Sequence, residues 1–176
     1  NTAGTIDASS IHTLTGAAAD LNTAYDSNGI TGLDDENVTL SDPTLAVSVL
    51  NTLDGHTSGT IDAGTVTTLT SDDYDSLNTA YTSANGGAIT GLGDEAISVS
   101  GRIRVSEANT LNSHTTGVIT ATVTNSDGTG NLNISSALNL NGTGNAYSIR
   151  IKERTVSASD LLAVDAITTT TVNAQN

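Results

Sequence analysis

The chain repeats itself at a nearly fixed interval, and no other feature constrains its fold as strongly. Gly4-Thr5-Ile6-Asp7-Ala8 returns as Gly59-Thr60-Ile61-Asp62-Ala63, then as Gly117-Val118-Ile119-Thr120-Ala121 and as Thr170-Thr171-Val172-Asn173-Ala174, at offsets of 55, 58 and 53 residues. Leu21-Asn22-Thr23-Ala24-Tyr25 recurs unchanged at 77–81, and Ile30-Thr31-Gly32-Leu33 at 89–92, each time followed by an Asp-Glu pair. Asn51-Thr52-Leu53-Asp54-Gly55-His56-Thr57 matches Asn109-Thr110-Leu111-Asn112-Ser113-His114-Thr115. Periods of this length mark stacked arrays. The repeats are expected at 1–58 (its start truncated), 59–116 and 117–169, with a fourth beginning at 170–176 and an irregular stretch at 124–146. The chain opens Asn-Thr-Ala-Gly with neither Met nor a signal peptide, as expected of a piece of something longer.

Each repeat divides again. Pairs of alternate apolar residues occur at Ile6 and Ala8, Val38 and Leu40, Ile61 and Ala63, Ile97 and Val99, Ile119 and Ala121, Ile149 and Ile151, and Val172 and Ala174. Such alternation marks strands with one buried face. Their first members lie 32, 23, 36, 22, 30 and 23 residues apart, which is too far for hairpins and suits crossovers to parallel neighbours. The crossovers read as short helices. Ala17 to Tyr25 places Ala18, Leu21 and Tyr25 on one face, and its second copy is expected to start at Ser71 as N-cap. Asp42-Pro43 reads as an N-cap followed by proline in the first turn, with Leu45, Val49 and Leu53 along one side. Later helices are expected near Ser106 and Ser157, with a single turn around Ser135 to Leu138.

The predicted fold class is therefore α/β, a parallel β/α solenoid of ~55-residue repeats with two strand-helix turns each. Tandem β-sandwich modules are the alternative, disfavoured by the helix caps. A solenoid also accounts for a composition poor in core material. The 176 residues include no Cys, Met, Trp or Phe and four Tyr, while Leu, Ile and Val total 39 and Thr alone 31. Medium apolar residues suffice when neighbouring turns share one core. Without cysteine there is no disulfide and no thiolate chemistry, and no apolar run approaches the ~20 residues that span a bilayer.

Charge is placed unevenly. The first 100 residues hold 14 acids and no base, whereas 101–176 hold five of each, for a net −14. That balance argues against nucleic acid and anionic membrane surfaces as partners. Arg102 and Arg104 flank Ile103, and Arg150 and Lys152 flank Ile151, with Arg154 close by. Each pair should project from one strand face. These five bases are candidates for an assembly interface that docks on an acidic turn of another copy; their alternative role is to keep strand edges from pairing. The histidines are His12, His56 and His114, and the latter two are equivalent in successive repeats, which suits a structural role better than a catalytic one. No nucleophile elbow, zinc helix or phosphate loop is present. Calcium is the cation this oxygen-rich chain would suit, with candidate ligands Asp34, Asp35, Glu36, Asp94 and Glu95 and another acidic turn at Asn125 and Asp127-Gly128. None has EF-hand spacing, and helix capping and solubility explain the same residues. An ice-binding face would need regular Thr-x-Thr rungs, which one strand of the seven supplies.

Residues 14–25, 48–63 and 105–123, which carry Leu-Thr-Gly-Ala-Ala-Ala-Asp-Leu-Asn-Thr-Ala-Tyr, Ser-Val-Leu-Asn-Thr-Leu-Asp-Gly-His-Thr and Val-Ser-Glu-Ala-Asn-Thr-Leu-Asn-Ser-His-Thr, resemble repeats in very large secreted proteins of marine cyanobacteria. The resemblance covers nearly the whole chain and weakens across 124–146. It implies a secreted or cell-surface structural protein of adhesin, surface-layer, filament or motility type, and it transfers no active site. The expected function is thus a non-enzymatic repeat module of a giant extracellular protein, self-assembling with copies of itself into a filament, layer or stalk, without a cofactor. A calcium-dependent adhesion module with a glycan or cell-surface partner is the alternative. A glycan-acting enzyme is disfavoured, because four Tyr cannot line a sugar groove.

Overall fold

The structure is a computed structural model and describes residues 4–125 and 130–174. It is α/β, with parallel strand pairing and six helices among the described residues. The chain forms two compact units, one of residues up to Leu69 with Ser76–Leu92, the other of Thr70–Asp75 with Gly93 onward.

The first unit contains β1 (Ile6–Asp7), β2 (Thr13–Gly16), α1 (Ala18–Tyr25), β3 (Ile30–Thr31), β4 (Asn37–Leu40), β5 (Thr44–Ala46), α2 (Val47–Asp54), β6 (Ile61–Asp62), the start of β7 (Thr68–Ser71), most of α3 (Tyr74–Asn85) and β8 (Ile89–Thr90). Strands β2, β4, β6 and β8 lie side by side in that order, all parallel. Their register places Leu14, Val38, Ile61 and Ile89 in one row, and the last three are fully buried. Each such side chain contributes about 1.5–3 kcal/mol on leaving water. Outward positions of the same strands, Thr39, Asp62 and Thr90, are exposed. Strand β1 pairs with β3 through Ile6 and Ile30.

Helices cover this sheet with small residues. Ala18 and Leu21 of α1, Val47, Leu50 and Leu53 of α2, and Leu77, Ala80 and Tyr81 of α3 are buried. Asparagines at matching repeat positions tie one helix to the next. Asn22 Nδ2 donates to the Val49 carbonyl at 3.1 Å, and Asn51 Nδ2 to that of Ser76 at 2.9 Å. In the second unit Asn109 Nδ2 donates to the Asn139 carbonyl at 2.8 Å.

The second unit holds β9 (Ala96–Arg104), α4 (Val105–His114), β10 (Ile119–Thr124), α5 (Ile134–Ala137), β11 (Ala146–Ile149) and α6 (Ala158–Asp165). Strand β10 lies between β9 and β11, parallel to both. Between the pairs Thr120–Ser98 and Thr122–Arg102, β9 carries two extra residues. An even number leaves the facing unchanged, so Ile97, Val99 and Ile103 all remain buried while Arg102 and Arg104 stay outside. Gly101 sits at this irregularity because a Cβ there would collide with the Asp72 carbonyl oxygen.

The expected strands recur at the apolar pairs, except that Ile6 of β1 is exposed rather than buried and the last strand appears only as a bridge between Asn173 and Arg150. Two helix expectations need correction. Asp42-Pro43 does not start α2, whose first residue is Val47. The intervening Thr44–Ala46 is a strand, so Leu45 is buried from β5 and Val49 is only half-buried. The Asp42 carboxylate instead accepts the Ala18 N–H at 2.8 Å and caps α1 from 24 residues away. The Ser71 hydroxyl closes a local turn with Asp73, and α3 starts three residues on, at Tyr74. The helix expected near Ser106 is α4, which starts at Val105, and there the Arg104 N–H donates to Glu107 Oε2 at 2.7 Å. Ser157 does cap α6 by accepting the Asp160 N–H at 3.1 Å, and the predicted turn near Ser135 is α5.

Two nearby glycines separate steric from conformational roles. A Cβ on Gly59 would lie 2.2 Å from the Glu36 carbonyl oxygen, whereas Gly55 has φ −78° and its nearest neighbour at 3.4 Å. Urea unfolding should show Gly59→Ala destabilised by about 1–3 kcal/mol and Gly55→Ala neutral or stabilised by about 0.4–1 kcal/mol. Equal effects would contradict the close approach.

Candidate functional site

One arrangement occurs three times where a crossover rejoins a strand, ahead of β6, ahead of β10 and ahead of the bridge at Asn173. In the first unit Thr57 is buried, and its Oγ1 donates to the Glu36 carbonyl at 2.7 Å while accepting the Gly59 N–H at 3.0 Å. In the second unit Thr115 Oγ1 donates to the Glu95 carbonyl at 2.6 Å and accepts the Gly117 N–H at 2.9 Å. Thr168 Oγ1 donates to the Tyr147 carbonyl at 2.8 Å and accepts the Thr170 N–H at 3.2 Å. Register confirms the equivalence, since four residues beyond Thr57 and Thr115 stand Ile61 and Ile119, opposite Val38 and Ile97. The glycine two residues after the threonine is required twice, because a Cβ on Gly59 or Gly117 would strike the backbone of Glu36 or Glu95. Thr170 replaces it in the third case and donates from its own hydroxyl to the Tyr147 carbonyl.

Glu36, Glu95 and Tyr147 are therefore one position, and all three are fully buried. Tyr25 Oη donates to Glu36 Oε2 at 3.2 Å, and Glu36 Oε1 is buried without a partner. Burial raises the Tyr25 phenol above its usual range, opposed by a hydrogen bond with Thr57 and reinforced by the Glu36 charge. His56 stacks on Tyr25 with ring centroids 5.4 Å apart and planes 3° from parallel. His56 Nε2 lies 3.6 Å from Asp26 Oδ1, too far for a hydrogen bond. Tyr25 is thus held between the Glu36 carboxylate and the His56 ring. Sequence reasoning missed the group, although the recurrence of Tyr25 with Tyr81 and of Glu36 with Glu95 signalled it.

The calcium candidates separate. Glu36 and Glu95 point inward, and Glu95 Oε2 accepts the Gly93 N–H at 2.6 Å, while Asp34, Asp35 and Asp94 are exposed. Among the described residues no three His, Asp or Glu side chains converge as a metal site would require. The turn at Asp127-Gly128 lies outside the described residues.

The basic candidates are brought partly together. Arg102, Thr122 and Ser148 form one outward row across β9, β10 and β11. Arg104 is neutralised locally, its Nη1 2.9 Å from Glu107 Oε1. Arg102 and Arg150 line one polar cleft of about 280 Å³ with Thr122, Ser148, Gly130 and Asn131. Lys152 and Arg154 are exposed outside it. Arg102 also lines a groove of about 240 Å³ with Asp73, Asp75, Arg104 and Glu107.

No helix among the described residues is long and apolar enough to cross a membrane. No protein-family model, curated protein or solved structure matches the chain.

Two substitutions test the repeated position. Thr57→Val keeps the shape but removes the hydroxyl between Glu36 and Gly59, so unfolding should show a loss of about 1–3 kcal/mol, with Thr57→Ser retaining most of the stability. The Tyr147 hydroxyl is buried without a partner, and burial pushes its phenol up to about 12. The folded state then holds this proton where the unfolded chain, titrating near 10, has released it. Stability from this group is full below about pH 10 and is lost as pH rises towards 12. Tyr147→Phe should flatten that alkaline loss in melting temperature, and an unchanged profile would remove Tyr147 as its source.

Proposed function

We propose that this chain is a structural repeat module of a very large secreted or cell-surface protein, built as a parallel β/α solenoid and self-assembling into a filament, layer or stalk. The observation that carries this reading is the threefold recurrence of the buried threonine bridge, at Thr57, Thr115 and Thr168, each closing a crossover onto the preceding strand. A unit that can be added again with the same closure suits a protein whose product is length. The buried residue beside the bridge changes from Glu36 and Glu95 to Tyr147 while the closure persists, as expected where geometry is retained and no side-chain chemistry is. The likeness of residues 14–25, 48–63 and 105–123 to repeats of giant secreted cyanobacterial proteins supports the same conclusion. Exposed Thr, Ser and Asp on the outward strand positions are the surface available for contacts between molecules.

Negative-stain electron microscopy of the purified chain at high concentration and low salt is the test. The proposal expects filaments or ordered lattices. Dispersed particles of monomer size at every concentration would contradict it.

A further inference from the structure

We propose that the cleft between Arg102 and Arg150 is an oxyanion site for the Asp34-Asp35 carboxylates of a second copy, so that copies join head to tail. This rests on the self-assembly reading above and names its contact. Of the five basic residues, Arg104 is already paired with Glu107. Arg102 and Arg150 have no ion-pair partner among the described residues, and both line the same cleft. Its other walls among the described residues are Thr122, Ser148, Asn131 and Gly130, none of them acidic. Gly130, whose φ of +92° suits glycine, brings the backbone against the Arg102 guanidinium. Two guanidinium forks flanked by hydroxyl donors match the two oxygens of a carboxylate.

The occupant follows from charge. The first 100 residues carry 14 acids and no base, while 101–176 balance five against five. Several acids of the first unit are engaged: Asp7 with the Ser9 N–H, Asp42 with that of Ala18, Asp54 with the Ser83 hydroxyl and Asp62 with the Gly64 N–H. Asp34 and Asp35 are adjacent and exposed, and their carboxylates accept no hydrogen bond from the described residues. Because the cleft is cationic, it cannot meet itself across a two-fold axis. Joined head to tail the contact is heterologous, and such contacts give rings or open chains; a wild type that stops at a dimer would instead mean reciprocal two-fold pairing and would contradict the head-to-tail arrangement.

End-blocking tests this directly by sedimentation velocity at low ionic strength, with the wild type beside the neutral variants Arg102→Gln/Arg150→Gln and Asp34→Asn/Asp35→Asn. The wild type should form species of increasing mass, and each variant alone should stay monomeric. An equimolar mixture of the two variants, each with one intact end, should give a species of twice the monomer mass and nothing larger. Assembly of either variant alone as far as the wild type, or growth of the mixture beyond two, would overturn the cleft while leaving self-assembly standing. A monomeric wild type would overturn both. As a check independent of how the variants fold, sulfate should dissociate wild-type assemblies at several-fold lower ionic strength than chloride. Equal potency would count against an oxyanion site.

Discussion

Parallel strands cannot be joined by a tight turn, so the chain must travel back across the sheet and re-enter at the same end each time. Everything else in this protein depends on how that re-entry is fixed. At three of these re-entries the answer is a buried threonine. Its hydroxyl donates to the carbonyl of the residue two before the apolar row of the preceding strand, and it accepts the N–H two residues along its own chain. Two backbone groups that would otherwise be buried unsatisfied are paired by one atom. Threonine suits the position better than serine, because its branched Cβ restricts χ1 and its methyl adds apolar contact. Glycine follows because the two backbones approach more closely than a side chain allows.

With re-entry fixed, the remaining layers need little material. A row such as Val38, Ile61 and Ile89 repeats one medium side chain on successive strands. The helices add the fully buried Ala18, Ala80 and Ala108. Lateral order among helices is set by the side-chain amides of Asn22, Asn51 and Asn109, each reaching a carbonyl of the next element. A polar bond shared with every turn is specific in register, since shifting one helix breaks it.

How much of this the sequence revealed depended on the range of the interaction. Strands at Val38, Ile61, Ile97, Ile119 and Ile149 were legible because alternation is local and the register repeats. Ser157 was legible as a cap because its partner Asp160 is three residues away. Asp42 misled because its partner Ala18 lies 24 residues back, and a carboxylate before proline carries no mark of which helix it caps. Strands β5 and β7 escaped because each buries a single apolar residue, Leu45 or Leu69, and so shows no alternating pair. The basic residues were rightly placed on outward faces, but only the structure separates Arg104, held by Glu107, from Arg102 and Arg150. The equivalence of Tyr147 with Glu36 and Glu95 was invisible, since the side chains differ and what is shared is a carbonyl.

If the threonine bridges close the fold, the amides around them belong to its most stable part. Native-state hydrogen exchange followed by NMR measures this residue by residue. The account predicts that the Ser58, Gly59, Thr116 and Gly117 amides, bonded to Asp34, Thr57, Gly93 and Thr115, exchange in the slowest class with the strand amides of Val38, Ile61 and Ile97. Exchange of those four within the time of the exposed loops, while the strands stay protected, would show the bridges to be peripheral and would contradict it.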